Sequence, residues 1–199
     1  METTISLGWN CMPAIKGIHL GIRQTKANGY KTCPFDIGFT NYEGIMLCLE
    51  EDFTYFCDTS YVKVIPAPFS TPPFEKDTLL IYNTRYNFIF NHESSTPDNG
   101  NLYLTENWSG GKTHFIDNNF EKLIERYTRR IENFRNYLNA CNKITFIISK
   151  KDSDTSKLYR IIKQKYPNLE FEILFYKEQE YSEEDFENLH KLMKTHDSL

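Results

Sequence analysis

The sequence predicts an α/β protein, with one three-layer domain built on a mixed sheet that has parallel C-terminal strands and a central hairpin. Two observations lead to this prediction. Apolar residues recur at spacings of three and four between residues 120 and 138, which is typical of a long amphipathic helix. Beyond it, the apolar runs KITFIIS and LEFEILFY enclose a helical pattern. This order of elements favours a right-handed parallel crossover.

The composition is that of one globular domain over residues 1–199. Hydrophobic residues make up 40% of the chain and aromatic residues 15%, which is enough for a buried core. The net charge of −4 disfavours a nucleic-acid partner. No apolar run approaches the roughly 20 residues of a membrane span, and the first residues do not resemble a signal peptide. We therefore expect a cytoplasmic protein with neither nucleic-acid nor membrane partners.

The N-terminal quarter alternates between short elements and a loop. Residues 3–7 form a β-prone run that ends at Gly8, and a helix is expected from Pro13, since proline suits the first helical turn. The segment 26–41 is rich in Gly, Asn and Pro, which predicts a loop. A second helix is expected over residues 41–53.

The sequence predicts β-strands in the middle of the chain. Four prolines in residues 66–74 predict an extended connection, and the apolar run DTLLIYN, residues 77–83, predicts a strand. Alternation in RYNFIFNHE and NLYLTE predicts a hairpin over residues 86–105. Near the end of the chain, residues 182–193 open with a capping-box pattern and predict a last helix.

The cysteines indicate free thiols in a reducing compartment. Their number is odd and none forms a C-x-x-C pair, so neither a disulfide framework nor a four-cysteine zinc site is supported. No group of His, Cys, Asp and Glu has the spacing of metal ligands, and we expect neither a metal nor a cofactor. The five are Cys11, Cys33, Cys48, Cys57 and Cys141.

Cys11 is the candidate nucleophile, because it follows a predicted strand and precedes a predicted helix. A thiol reacts as thiolate, and the unpaired N–H groups and partial positive charge of a helix N-terminus favour that anion. Backbone N–H groups near residues 9–12 can also form an oxyanion hole. The alternative is a small buried cysteine tucked under Trp9.

A cysteine nucleophile needs a base, and the spacing leaves two candidates. His92 ends an alternating strand, whereas His114 lies in the loop before the long helix. Asp36 is the acid that could orient His92, and Asp117 could orient His114. In the alternative interpretation, Asp36 accepts hydrogen bonds from the backbone of its own turn, and either histidine is an ordinary surface or capping residue.

Two adjacent arginines on the long helix form the third candidate feature. One of Arg129 and Arg130 must lie near the apolar stripe while the other faces water. A partly buried arginine can pair with an acid such as Asp36, or bind a substrate carboxylate or phosphate. Solvation on the helix surface is the alternative.

These motifs occur in an order that resembles a known family. SLGWNC, PFDIGF, YNFIFNHE and YTRRIENF, the last leading into KITFIIS, span about residues 3 to 150. Together they resemble a family described as papain-like cysteine peptidases. The resemblance implies that Cys11 is the nucleophile, His92 the base and Asp36 the motif acid. Ile37 departs from the family pattern, which has tryptophan there.

The sequence thus leads to a cysteine-dependent hydrolase or acyltransferase acting on a peptide, an isopeptide or an ester. The predicted substrate-binding residues are Trp9 and Asn10, at the turn before Cys11, and Arg130 on the long helix. The alternative is a non-catalytic ligand- or protein-binding domain, in which the aromatic surface or the arginines would bind the partner.

Overall fold

The computed structural model describes residues 2–8, 10–66, 78–96, 108–148 and 155–176. The strands in these ranges are β1 Glu2–Ser6, β2 Val62–Pro66, β3 Leu79–Asn83, β4 Phe88–Ile89, β5 Lys143–Ile148 and β6 Glu170–Phe175. The α-helices are α1 Met12–His19, α2 Tyr42–Glu50, α3 Asp117–Ala140 and α4 Ser156–Lys165. No helix in these ranges is both long enough and apolar enough to cross a membrane.

The strands are divided between two sheets, which refines the expected mixed sheet. β1, β5 and β6 form a parallel sheet in the order β1-β5-β6, and β2, β3 and β4 form an antiparallel one in the order β2-β3-β4. The α/β class is confirmed, and so is the parallel crossover from β5 through α4 to β6. β2 was not predicted, because it ends at Pro66 and merges with the proline-rich segment.

Helices cover both faces of the parallel sheet. Successive residues of a strand point to opposite faces, so Thr4 and Ile5 mark the two sides of β1. Ile5 is fully buried in the core that includes α3 and α4 side chains. Thr4 donates its Oγ1 hydrogen to the carbonyl of Ile22 at 2.7 Å, on the side where α1 packs. The layers are therefore α1, the sheet, and α3 with α4.

An aromatic cluster joins the antiparallel sheet to α3. The ring centroid of Phe56 lies 4.9 Å from that of Phe88, 5.6 Å from that of Phe90 and 5.4 Å from that of Tyr127. Offset and edge-to-face pairs of this kind stabilise a core beyond their buried area. The contact fixes the end of β4, where His92 lies, against the middle of α3.

The structure pairs β4 with β3 in a hairpin that the sequence analysis did not predict. β4 has only two residues and follows β3 after a short turn in which Asn87 has a φ of 50°. His92 then lies in a 3₁₀ helix, Asn91–Glu93, directly after the strand. The expected second hairpin strand NLYLTE, the proline-rich segment beyond Pro66 and the last helix at 182–193 lie outside the described residues.

Candidate functional site

Cys11 stands at the N-terminal end of α1, as the sequence predicts. It is partly buried, and its carbonyl accepts the first helical hydrogen bond, from the N–H of Ile15 at 3.2 Å. Asn10 is buried, and its Oδ1 accepts a hydrogen bond from the N–H of Met12 at 2.9 Å. The side chain of Asn10 therefore shapes the turn that presents Cys11. Trp9 lies outside the described residues.

Gly8 allows the chain to turn sharply between β1 and α1. A β-carbon on Gly8 would lie 2.3 Å from Cγ of Pro13, far inside van der Waals contact. The N–H of Gly8 donates to Oγ of Ser6 at 3.2 Å, which ties the turn to the last residue of the strand. Any larger residue at position 8 would displace the start of α1, and Cys11 with it.

The other four thiols are held in their protonated form. Burial raises the pKa of Cys33, Cys48 and Cys141, and it raises the pKa of Cys57 to about 11. Since the thiolate is the reactive species, these groups are poor nucleophiles at neutral pH. Cys11 therefore remains the candidate nucleophile among the five cysteines.

Asp36 is fully buried at the end of the 3₁₀ helix Pro34–Asp36. Its Oδ2 lies 2.8 Å from Nη2 of Arg23 and accepts the N–H of Cys33 at 2.7 Å, while Tyr30 donates its hydroxyl to Oδ1 at 3.4 Å. Burial raises the pKa of Asp36, and the Arg23 guanidinium opposes that shift. The carboxylate is therefore part of a buried ion pair that also closes its own turn.

His92 is partly buried, and its surroundings favour the neutral imidazole. Burial lowers the pKa of His92, and the cations Arg130, Arg126 and Lys26 lower it further, while the adjacent Glu93 opposes them. An imidazole whose pKa lies below its ordinary value of 6.5 is unprotonated at neutral pH. It can therefore accept a proton, as a general base must.

Glu93 is a buried acid that the sequence reasoning missed. Its Oε1 lies 3.0 Å from Nη1 of Arg130 and 3.1 Å from Nε of Arg126, and its Oε2 accepts the hydroxyl hydrogen of Tyr127 at 2.9 Å. Arg126 and Arg130 are four residues apart and therefore lie on one face of α3. Two arginines at this spacing were the feature of the sequence that could have indicated a buried acid packed against α3.

One of the two adjacent arginines is buried and the other is exposed, as predicted. The buried one is Arg130 and the exposed one is Arg129. Arg130 pairs with Glu93 rather than with Asp36, but its charge also lowers the pKa of Asp36. The charge of Arg130 also lowers the pKa of His92. The pairing of Cys11 with His92 stays a prediction.

His114, the alternative base, has local partners. Its ring stacks on Trp108, with the centroids 6.2 Å apart, and its Nδ1 accepts the N–H of Gly110 at 3.4 Å. Asp117, which the sequence offered to orient it, accepts the hydroxyl hydrogen of Thr113 at 3.0 Å. These contacts are those of a residue that stabilises its own loop, which is the alternative interpretation of His114. Within the described ranges, no three His, Cys, Asp or Glu side chains come together as metal ligands.

The fold and the site define an α/β protein with a candidate thiol nucleophile at a strand–helix turn. A family model described as "Putative papain-like cysteine peptidase (DUF1796)" matches residues 2–180. The chain belongs to this family, which confirms the resemblance seen in its motifs. No curated protein and no solved structure matches the chain.

Proposed function

We propose that the protein is a cysteine-dependent hydrolase or acyltransferase, with Cys11 as the nucleophile and His92 as the general base. The observation that supports it best is the position of Cys11. It lies partly exposed at the N-terminal end of α1, where the partial positive charge of the helix favours a thiolate, whereas Cys33, Cys48 and Cys141 are buried. Membership of a family described as cysteine peptidases agrees with this choice.

In the proposed reaction, His92 takes the proton of Cys11, and Sγ attacks the carbonyl carbon of a peptide, isopeptide or ester. The carbon–sulfur bond forms as the carbonyl oxygen becomes an oxyanion. The tetrahedral adduct then expels the leaving group, which takes the proton from His92. Water, or another acyl acceptor, attacks the thioester carbon while His92 accepts its proton. The carbon–sulfur bond then breaks, the acyl product leaves, and the Cys11 thiolate takes the proton back from His92.

The turn before α1 is the proposed oxyanion site. Asn10 already accepts the N–H of Met12, so we assign its side chain to positioning the turn. Trp9 is proposed to contact the substrate beside the thiol. Arg130 is proposed to act on the substrate through its charge, since its Nη1 is bound to Glu93 at 3.0 Å.

Asp36 is proposed as a positioning residue. Its carboxylate already has Arg23, Tyr30 and the amide of Cys33 as partners. It therefore stabilises the segment that leads into the site.

An acyl-trapping experiment tests the proposal. The protein is incubated with an activated ester, and the acylated residue is located by peptide mass spectrometry. We expect the acyl group on Cys11, its loss in Cys11→Ser and its retention in Cys57→Ser, a matched control at another partly buried thiol. Acylation that persists in Cys11→Ser, or that depends on Cys57, would overturn the assignment.

A binding domain without catalysis is the second candidate. The observation that favours it is that Asp36 and Glu93, the buried acids of the described residues, form ion pairs with arginines rather than with a histidine. In that case Cys11→Ala retains the full biological activity of the protein, whereas a hydrolase loses it.

A further inference from the structure

A basic cavity lies between α3 and the loop over residues 26–32. Its volume is about 570 Å³, within the range of small-molecule sites. Lys26, Lys31 and Thr32 line it from the loop, and polar and charged side chains line it from α3. Those on the helix are Arg126, Arg129, Arg130, Glu132, Asn133 and Asn136.

The charge in this cavity is opposite to that of the whole chain. Five cationic side chains line it against one carboxylate, that of Glu132, although the chain has a net charge of −4. Glu93 neutralises Arg126 and Arg130 in part from the protein side. Lys26, Lys31 and Arg129 form no ion pair with a described carboxylate, so the excess positive charge faces the cavity.

Part of the cavity wall is fixed by contacts within the fold. Arg130 is buried and fixed by Glu93, and Asn133 is held by a hydrogen bond from its Nδ2 to the carbonyl of Thr32 at 3.0 Å. That bond joins the loop to the helix and keeps the two walls of the cavity together. Arg126 and Arg130 are therefore placed before any ligand arrives, which lowers the entropic cost of binding.

We propose that this cavity binds the phosphoryl group of a small molecule. A phosphoryl group offers three oxygens and up to two negative charges, which matches several guanidinium and ammonium donors at once. A single carboxylate would leave most of these cations uncompensated. The inference goes beyond the acyl chemistry proposed for Cys11 and does not depend on it.

The electrostatics of the neighbouring groups support this assignment. Burial lowers the pKa of Arg126, and the cations Arg130 and Arg129 lower it further, against the opposing charge of Glu93. An anion in the cavity would relieve this repulsion. Because Lys26, Arg126 and Arg130 also lower the pKa of His92, the same anion would raise it, which gives an independent readout.

Calorimetric titration of the full chain tests the site, with inorganic phosphate, ribose 5-phosphate and acetate as probes. Arg129→Gln and Lys31→Gln remove exposed cations of the cavity that have no ion pair in the described structure, so both variants are expected to fold. Arg160→Gln, on the exposed surface of α4, is the control with the same change in charge.

We expect saturable binding of one phosphate group, weakened about tenfold in each cavity variant and unchanged in Arg160→Gln. Tighter binding of ribose 5-phosphate identifies an organic phosphate, and equal affinities identify phosphate itself; both support the site. NMR titration should show a higher His92 pKa in the complex. Equal binding of acetate, equal affinity in all variants, or an unmoved His92 pKa would overturn the proposal.

Discussion

Arg130 and Glu93 form a buried ion pair, with Nη1 and Oε1 3.0 Å apart, and the pair connects α3 to the 3₁₀ helix that holds His92. Arg126 and Tyr127 bind the same carboxylate, so the turn after β4 is fixed by three side chains of one helix. This contact determines where His92 lies, and it also sets the charge around the imidazole.

Glu93→Gln should destabilise the protein by about 3–5 kcal/mol, because it leaves the buried guanidinium of Arg130 without its carboxylate. Urea unfolding followed by circular dichroism measures the change. Glu125→Gln, which breaks the exposed pair with Lys122, is the control and should change the stability far less. Equal effects of the two substitutions would contradict the importance of the buried pair.

Asp36→Asn should cost a similar free energy of unfolding, about 3–5 kcal/mol, since Arg23 would be left buried without its partner. The double variant Asp36→Leu with Arg23→Met removes both charges and should recover part of the loss. If Asp36 instead acts directly on His92, Asp36→Asn would change the pH dependence of Cys11 reactivity more than it changes stability.

The pH dependence of the reaction should reflect the lowered pKa of His92. The imidazole accepts a proton only when it is neutral, so the acid limb of the rate profile should lie below pH 6.5. Lys26→Gln removes a cation that lowers this pKa, and it should move the limb to higher pH. An acid limb at or above pH 6.5 in the unmodified protein, or one that Lys26→Gln moves to lower pH, would count against His92 as the base.

Gly8→Ala should displace the start of α1 and reduce the reactivity of Cys11. The added methyl group would meet Cγ of Pro13, and overpacking of this kind costs about 1–3 kcal/mol. The labelling rate of Cys11 in the folded variant gives the effect, and the rate in urea serves as the control for intrinsic thiol reactivity. Unchanged labelling in the folded variant would show that the turn does not position the thiol.

The spacing of apolar residues predicted the helices and strands that bury side chains at regular intervals. α3, β5, α4 and β6 were expected from their apolar spacing, and the structure confirms all four. The short β4 was harder, because its length is set by the turn at Asn87 and by the 3₁₀ helix that follows, and neither leaves an alternating pattern. Division of the strands into two sheets depends on contacts between distant segments.

The sequence suggested residues for the candidate site, but it did not predict the ion pairs that the buried acids form. Sequence placed Cys11 at a strand–helix turn and divided Arg129 from Arg130, because both depend on local order and helical spacing. It offered Asp36 only as one possible partner of the buried arginine, whereas Arg130 binds Glu93 and Asp36 binds Arg23. Which acid meets which arginine is decided by how the loop 26–41 and β4 pack on α3, and no local pattern encodes that.

The alkylation rate of Cys11 tests its assignment as the nucleophile. Alkylation by iodoacetamide is followed at each of the five cysteines by peptide mass spectrometry, in the folded protein, in urea and in His92→Asn. We expect Cys11 to react first, about tenfold or more faster than in urea, and His92→Asn to slow it. A folded Cys11 that reacts no faster than the unfolded one, or that is indifferent to His92, would contradict the assignment.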